Sequence, residues 1–253
     1  MVGTLVLTDT IDGVGVVSYN RPERHNALDD ALGTEWRAAV QTAIDDPGVR
    51  CILLCGEGRS FSSGRDTSEL GQRPGGESDF SFVRRAQEMR LALLDAPKPV
   101  VAAVQGYAFG GAFETALGAD MRMAADDAVF CFPEVHFGLV ADTGGTQLLA
   151  PLIGPARAKY LLMSGDRVDA VQALAWGIVD WVVPARELRA AALELCRKLA
   201  AAPTQAVAFA KQLVDQAWAG SVRNGMRQEL VAQTALFSSD DYLRIKAARG
   251  APA

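Results

Sequence analysis

In GYAFGGAFETALGAD, residues 106–120, a glycine pair precedes a lone acid in an otherwise apolar run. Gly110 and Gly111 are bare backbone, and Glu114 is the one carboxylate before Asp120. The run PVVAAV (99–104) reads as a buried strand ending at Gln105, so the glycines lead from strand directly into helix. A helix N-terminus carries unpaired N–H groups and a dipole that favours negative charge. With no Cβ at Gly111, a ligand oxygen can approach that N–H closely. Glu114 follows three residues later and projects on nearly the same side. The stretch can therefore hold developing negative charge beside a carboxylate that moves a proton. A Glu at the third helical position also caps its own helix, and these residues alone leave both readings open. A dinucleotide cradle is disfavoured, because Gly106, Gly110 and Gly111 lack the G-x-G-x-x-G spacing.

Two further stretches bear on the choice. GRSFSSGRDTSEL (58–70) is a second glycine-bearing turn after an apolar strand, and it offers a backbone N–H at Arg65, just past Gly64. CFPEVHFGLVADTGGTQLL (131–149) carries Glu134 behind Pro133, then a Gly144-Gly145 turn. Two carboxylates sharing a poorly solvated site separate in pKa, so that one donates a proton while the other accepts. The only histidines are His25, in a polar turn, and His136, between Val135 and Phe137. That leaves little for a Ser–His–Asp or Cys–His mechanism, and acid–base chemistry falls to the carboxylates.

The elements that must position these groups alternate strand and helix. TLVLTD and GVGVVSY flank Ile11-Asp12-Gly13 as a hairpin. Helical spacing runs from Leu28 to Ile44, preceded by Asn26 and ended by Asp-Pro-Gly at 46–48. CILLC (51–55) is a strand, 56–64 a turn-rich loop, 68–76 a polar, glycine-rich and mobile stretch, and 80–94 a helix. This alternation predicts an α/β core. From Pro184 onward the pattern is helical only, at 185–202, 204–219, 222–237 and 240–249. The division falls between a core at 1–190 and an oligomerising helical region at 191–253.

Composition excludes several function classes. The chain has 253 residues, 49% hydrophobic and 22% charged, ordinary for a globular protein and enough for one sizeable core. A net charge of −5 with scattered basic residues argues against a nucleic-acid or anionic-membrane surface. No run approaches the roughly 18 apolar residues of a membrane span, and the first ten residues do not read as a signal peptide. A soluble cytoplasmic protein is expected. Cys51, Cys55, Cys131 and Cys196 have no metal-site spacing and read as small buried hydrophobes.

Together the motifs resemble the crotonase superfamily of enoyl-CoA hydratases and isomerases. The likeness runs from NRPERHNALDD through PGVRCILLCGEGRSFSSGRD, APKPVVAAVQGYAFGGAFE and FPEVHFGLVADTGGTQLLAPLIG to WGIVDWVVP. It implies a spiral of repeated β-β-α units with trailing helices, assembled as a trimer or dimer of trimers. It also implies an acyl-CoA thioester substrate, with coenzyme A arriving as part of the substrate and no metal or redox cofactor. The thioester oxygen would sit between the backbone N–H groups of Arg65 and Gly111. Glu114 and Glu134, whose separation agrees with the family, would flank the alkene and orient one water. Coenzyme A would lie along Arg24, His25 and Ala27 and along Ser63, Asp66 and Thr67, with Gly110, Pro133 and Asp142 completing the substrate site. Arg65 and Phe113 are bulkier than is usual in plain hydratases. Asp142 stands where several isomerase-like members carry an acid, so it is either a third acid or a turn residue before Thr143. The expected activity is hydration of a 2-enoyl-CoA, the alternatives being double-bond isomerisation and non-catalytic acyl-CoA binding. Phosphate contact from Lys246 or Arg249 is not expected, because the C-terminal end is shorter than the family's basic tail.

Overall fold

The computed structural model of the protein describes residues 3–69, 71–218 and 220–250. The expected hairpin forms between β1 (Val6–Ile11) and β2 (Val14–Tyr19). Its turn residues Asp12 and Gly13 both have positive φ, 52° and 79°, as a two-residue hairpin of this twist requires. The next helix, α1 (Asp30–Asp45), begins later than Leu28 because its cap is Asp29 rather than Asn26, with the Asp29 carboxylate accepting from Leu32 N at 2.7 Å. Then follow β3 (Cys51–Gly56), α2 (Asp79–Leu94) and β4 (Val100–Val104).

The chain does not pass straight from β4 into a helix. A further strand, β5 (Tyr107–Phe109), precedes α3 (Gly111–Leu117). Gly106, at φ 53°, turns the backbone out of one sheet, and three residues are too few to show a period of their own. Beyond α3 come β6 (Met121–Ala125), β7 (Val129–Cys131), α4 (Gly145–Ile153), α5 (Pro155–Ser164), β8 (Val168–Asp169), α6 (Ala170–Trp176) and β9 (Trp181–Val183). The last helices are α7 (Leu188–Ala200), α8 (Thr204–Gln216), α9 (Val222–Leu236) and α10 (Asp240–Gly250). The expected 185–202 helix opens with a 3-10 turn, Ala185–Glu187, and Ala219, the expected end of the next one, lies outside the described residues. The stretch expected to be mobile at 68–76 contains 3-10 turns at Thr67–Glu69 and Pro74–Gly76; Leu70 within it lies outside the described residues.

Strands join two sheets in the orders β1-β2-β3-β4-β6-β9 and β5-β7-β8. The chain visits the large sheet, then the small one, then a helix, which is the β-β-α spiral anticipated from the motifs. The large sheet is parallel beyond its hairpin, with Leu53 opposite Val101 and Val101 opposite Met121. Its strands alternate with period two between two cores. Ile52, Leu54, Val100, Ala102 and Val104 face a cluster with Trp36, Phe113, Phe130 and Phe132. Cys51, Leu53, Cys55, Val101 and Ala103 face Leu188, Ala192, Cys196 and Ala200 of α7. All four cysteines are free and buried, as expected. Helix α7 thus packs on the sheet, whereas α8 to α10 bury only Ala232 among their described residues. Lys211 ties α8 to the core by donating to the Leu93 and Lys98 carbonyls at 3.2 and 3.3 Å.

Ala192 is fully buried against the sheet, so Ala192→Leu overpacks this interface. It is expected to lower unfolding stability by about 1–3 kcal/mol, read from the urea midpoint.

Candidate active site

Three local features form a floor for the site. Gly110 has φ 52° and ψ −126°, a backbone state that side chains do not tolerate, and it ends β5 so that α3 starts at Gly111. The Glu114 N–H bonds to the Gly110 carbonyl at 2.9 Å, leaving the Gly111 N–H ahead of the helix ladder. Alongside runs the Gly64 turn. A Cβ on Gly64 would stand 2.5 Å from the Phe109 carbonyl oxygen, so only glycine lets these two backbones meet. Leu28 N donates to Gly64 O at 2.8 Å and accepts, through its carbonyl, from Asp66 N at 2.9 Å. Because bonding directions alternate along an extended chain, the Arg65 N–H faces away from Leu28. The Arg65 side chain turns to Asp30, at 2.8 Å, and to Glu69, at 3.5 Å.

Glu114 is 1% exposed. Its Oε1 accepts from Thr143 N at 2.9 Å and Gly145 N at 2.8 Å, and its Oε2 accepts from the Thr143 hydroxyl at 2.6 Å. The acid does cap a helix, but the helix is α4, and α3 itself has no side-chain cap. Three donors, two of them backbone N–H groups at the start of α4, surround this carboxylate.

Glu134 is placed by the 3-10 turn Pro133–Phe137, which Gly138 closes in the left-handed region. A Cβ on Gly110 would collide with Glu134 Oε1, while Glu114 Oε2 lies 4.0 Å from where a Cβ on Gly111 would stand. The two acids therefore abut the same glycine pair. Glu134 Oε2 is buried without a hydrogen-bond partner among the described residues. Burial first, then the nearby Glu114 and Asp142 charges, raise its pKa from 4.5 to about 7. Asp142 is exposed to solvent at the rim. Its carboxyl is also pushed up, by desolvation and by Glu114, with Arg90 and Arg73 opposing. The cap position before α4 belongs to Gly144. The Asp142 carbonyl accepts from Gln87 Nε2 at 2.7 Å.

The segments expected to line coenzyme A form one ledge. Ser63 N donates to His25 O at 2.9 Å. Arg24 and Thr67 are exposed, and Ala27 is buried. The His25 Nδ1 lies 2.9 Å from Ser60 Oγ, and Arg59 Nη2 lies 3.1 Å from its Nε2. Asp66 is taken up by Ser68 Oγ, at 2.6 Å, and Arg21 Nη1, at 2.9 Å, contacts that help pull its carboxyl down to about 2.

Two residues that carry this geometry were missed from sequence. Asn26, at φ 53° and fully buried, donates to the Glu57, Ser60 and Phe61 carbonyls at 2.9, 2.8 and 3.1 Å. It also accepts from Arg21 N at 2.8 Å. A polar residue in a turn gives no signal of such distant partners. Arg90 is buried on α2 and donates to the Gly111 carbonyl at 3.0 Å. Its spacing of three from buried Leu93 placed it on the inner face, a signal available in the helical period.

Asn26→Ala leaves several buried backbone groups unpaired and is expected to cost about 3 kcal/mol in urea unfolding. Glu134 gives a pH-dependent expectation. Its raised folded pKa means that the folded chain binds the proton more tightly than the unfolded chain. The stability this lends is complete below pH 4.5 and is lost as pH rises to about 7. Above that range Glu134→Gln should be the more stable protein, by on the order of 2 kcal/mol, with the difference vanishing in acid. Thermal unfolding at a series of pH values measures it.

Comparison with known proteins places the chain in a family. The family model described as enoyl-CoA hydratase/isomerase matches residues 9–248. A carnitinyl-CoA dehydratase of Citrobacter koseri is 38% identical over 198 residues, covering 78% of this chain and 75% of the relative. The 1,2-epoxyphenylacetyl-CoA isomerase of Escherichia coli (strain K12) is 33% identical over 240 residues, covering 94% and 92%. The crystal structure of an enoyl-CoA hydratase from Bacillus anthracis superposes with a TM-score of 0.89 at 29% identity, covering 97% of this chain and 96% of that one. With two carboxylates set against one glycine pair in a β-β-α spiral, and the family model matched over nearly its whole length, the chain belongs to the enoyl-CoA hydratase/isomerase family.

Proposed function

We propose that the protein is an enoyl-CoA hydratase, adding water across the double bond of a 2-enoyl-CoA. The observation that carries this is the contrast between two carboxyls at one glycine pair. Glu114 accepts three hydrogen bonds, whereas Glu134 has a buried oxygen with no partner among the described residues and a pKa raised to about 7. Such a pair separates the roles of base and acid. The Gly111 and Arg65 N–H groups hold the thioester oxygen, where charge develops as the enolate forms. Glu114 takes a proton from water as the water oxygen bonds to C3. Glu134 delivers its proton to C2. Return of the proton from Glu114 to Glu134 completes the cycle. Coenzyme A lies along the ledge of Arg24, His25, Ala27, Ser63 and Thr67, with Pro133 and Asp142 at the acyl side. The chemistry as written calls for no metal or redox group.

The same reading includes a homo-oligomer, a trimer or dimer of trimers, acting in the cytoplasm. Its support is the apolar surface on the last helices, where Trp218, Val222, Met226, Leu230 and Val231 are all exposed. Among the described residues no helix is long and apolar enough to cross a membrane. Sedimentation of the purified chain distinguishes these assemblies from a monomer.

One observation favours a second reaction. Desolvation, and then the Glu114 charge, push the Asp142 carboxyl up, which suits a third acid that moves a proton between carbons in a double-bond isomerisation.

Crotonyl-CoA and longer 2-enoyl-CoAs should lose their conjugated-thioester absorbance on addition of the protein. Glu114→Gln and Glu134→Gln should each lower kcat by about 10²–10⁴. Turnover should decline as pH rises past about 7, since Glu134 must start protonated. Folded protein inert on every chain length defeats the hydratase reading. Tight acyl-CoA binding unaffected by Glu114→Gln, with no turnover, identifies a binding protein instead. Loss of 3-enoyl-CoA isomerisation but not hydration in Asp142→Ala assigns the isomerase activity to that acid.

A further inference from the structure

Arg90 occupies the buried face of α2 with 3% of its surface exposed. Its Nη2 donates to the Gly111 carbonyl at 3.0 Å and to the Thr143 hydroxyl at 3.4 Å, and that hydroxyl donates to Glu114 Oε2 at 2.6 Å. The Gly111 carbonyl also accepts from Thr115 Oγ1, at 2.9 Å. Glycines line the path of the arginine stem. A Cβ on Gly118 would stand 2.9 Å from Arg90 Cδ, and one on Gly144 would stand 3.8 Å from its Cγ.

The Nε and Nη1 of Arg90 are buried without a hydrogen-bond partner among the described residues. The ionisable groups facing the guanidinium are Glu114 from α3, Asp142 from the turn before α4, and Tyr19 from β2. Burying a guanidinium costs several kcal/mol. An arginine that serves packing alone recovers most by a two-pronged bond to a carboxylate. Arg90 instead directs one nitrogen to two groups of the site, the carbonyl of Gly111 and the hydroxyl that holds Glu114.

We propose that Arg90 is a positioning residue for Glu114, fixing the Gly111 carbonyl and the Thr143 hydroxyl together and supplying the positive charge beside the acids of the site. It touches no reacting atom and acts through Thr143 and the α3 turn. Its charge also opposes the upward push on Asp142, alongside Arg73.

The test compares the wild-type chain with Arg90→Met, Arg90→Lys and Thr143→Val. Its kinetic half rests on the hydratase reading; its titration half does not. In 2-enoyl-CoA hydration, Arg90→Met should lower kcat about 100-fold, as small misplacements of a reacting group do. KM should stay within about threefold, because ground-state binding is untouched. Carbon-13 NMR of Asp-labelled free protein should show the Asp142 carboxyl titration moved to higher pH, because the Arg90 charge that opposes its upward push is gone. Arg90→Lys should restore the Asp142 titration but only part of kcat, since the charge returns on a flexible ammonium rather than on a planar group that fixes where Nη2 sits. Arg90→Met with unchanged kcat and unchanged titrations, and only a lower melting temperature, overturns the proposal. If Arg90→Met does not fold, Arg90→Lys and Thr143→Val decide. Losses that fail to add in the double variant support a shared path, and additive losses overturn it. A wild-type chain inert on every enoyl-CoA counts against the hydratase reading alone, and the titrations then settle the role of Arg90.

Discussion

The hydrogen bonds that Glu114 accepts from Thr143 and Gly145 are the constraint on which the rest of the site depends. They join the first turn of α3 to the start of α4, two elements separated in the chain by a strand pair and a 3-10 turn. A carboxylate in a fully buried position is tolerable only when donors satisfy it. Satisfying it here requires the Gly144-Gly145 turn to approach closely, and Gly145 abuts Phe132 and Ala141 so tightly that a Cβ would clash with both. The placement of Glu114 and the packing of the core are therefore one arrangement, not two.

That arrangement sets two acids in opposite circumstances. Backbone and hydroxyl donors hold Glu114, while Glu134, brought to Gly110 by its own short turn, has an oxygen with no partner among the described residues. Desolvation is the first cause of the upward shift of Glu134, and the charges of Glu114 and Asp142 add to it. The stability lost by burying such a group is what a proton donor active near neutrality requires. Asp142 stands at the exposed rim with its carboxyl also shifted up, first by desolvation and then by the Glu114 charge. The family model is described as enoyl-CoA hydratase/isomerase, and the chain's relatives include an isomerase and a dehydratase by name.

The second support is the ledge built by residues 21–28 and 57–66. Asn26 holds it together from the left-handed region, with its side chain donating to carbonyls more than thirty residues away. The ledge leaves Gly64 against Phe109, so the turn carrying Arg65 and the turn carrying Gly111 are fixed side by side. Large-sheet strands buried on both faces form the platform beneath them, with α7 closing the far side.

By itself the sequence determined the strand and helix alternation, the apolar strands, the glycine turns and the two glutamates, because each of these has a local signature in residue type or period. The stretch 106–120 alone left open whether Glu114 caps a helix or moves a proton, and the Gly64-Arg65 turn with Glu134 inclined the reading to proton transfer. Only the tertiary structure decided that the hydrogen bonds of Glu114 go to α4, a pairing between residues 29 and 31 positions apart that no local pattern encodes. The short strand β5 escaped notice because three residues carry no period. Asn26 and Arg90 escaped because a polar side chain acquires its role from the partners that folding brings to it. Spacing can place a residue on a face of its helix, but only packing decides what that face meets.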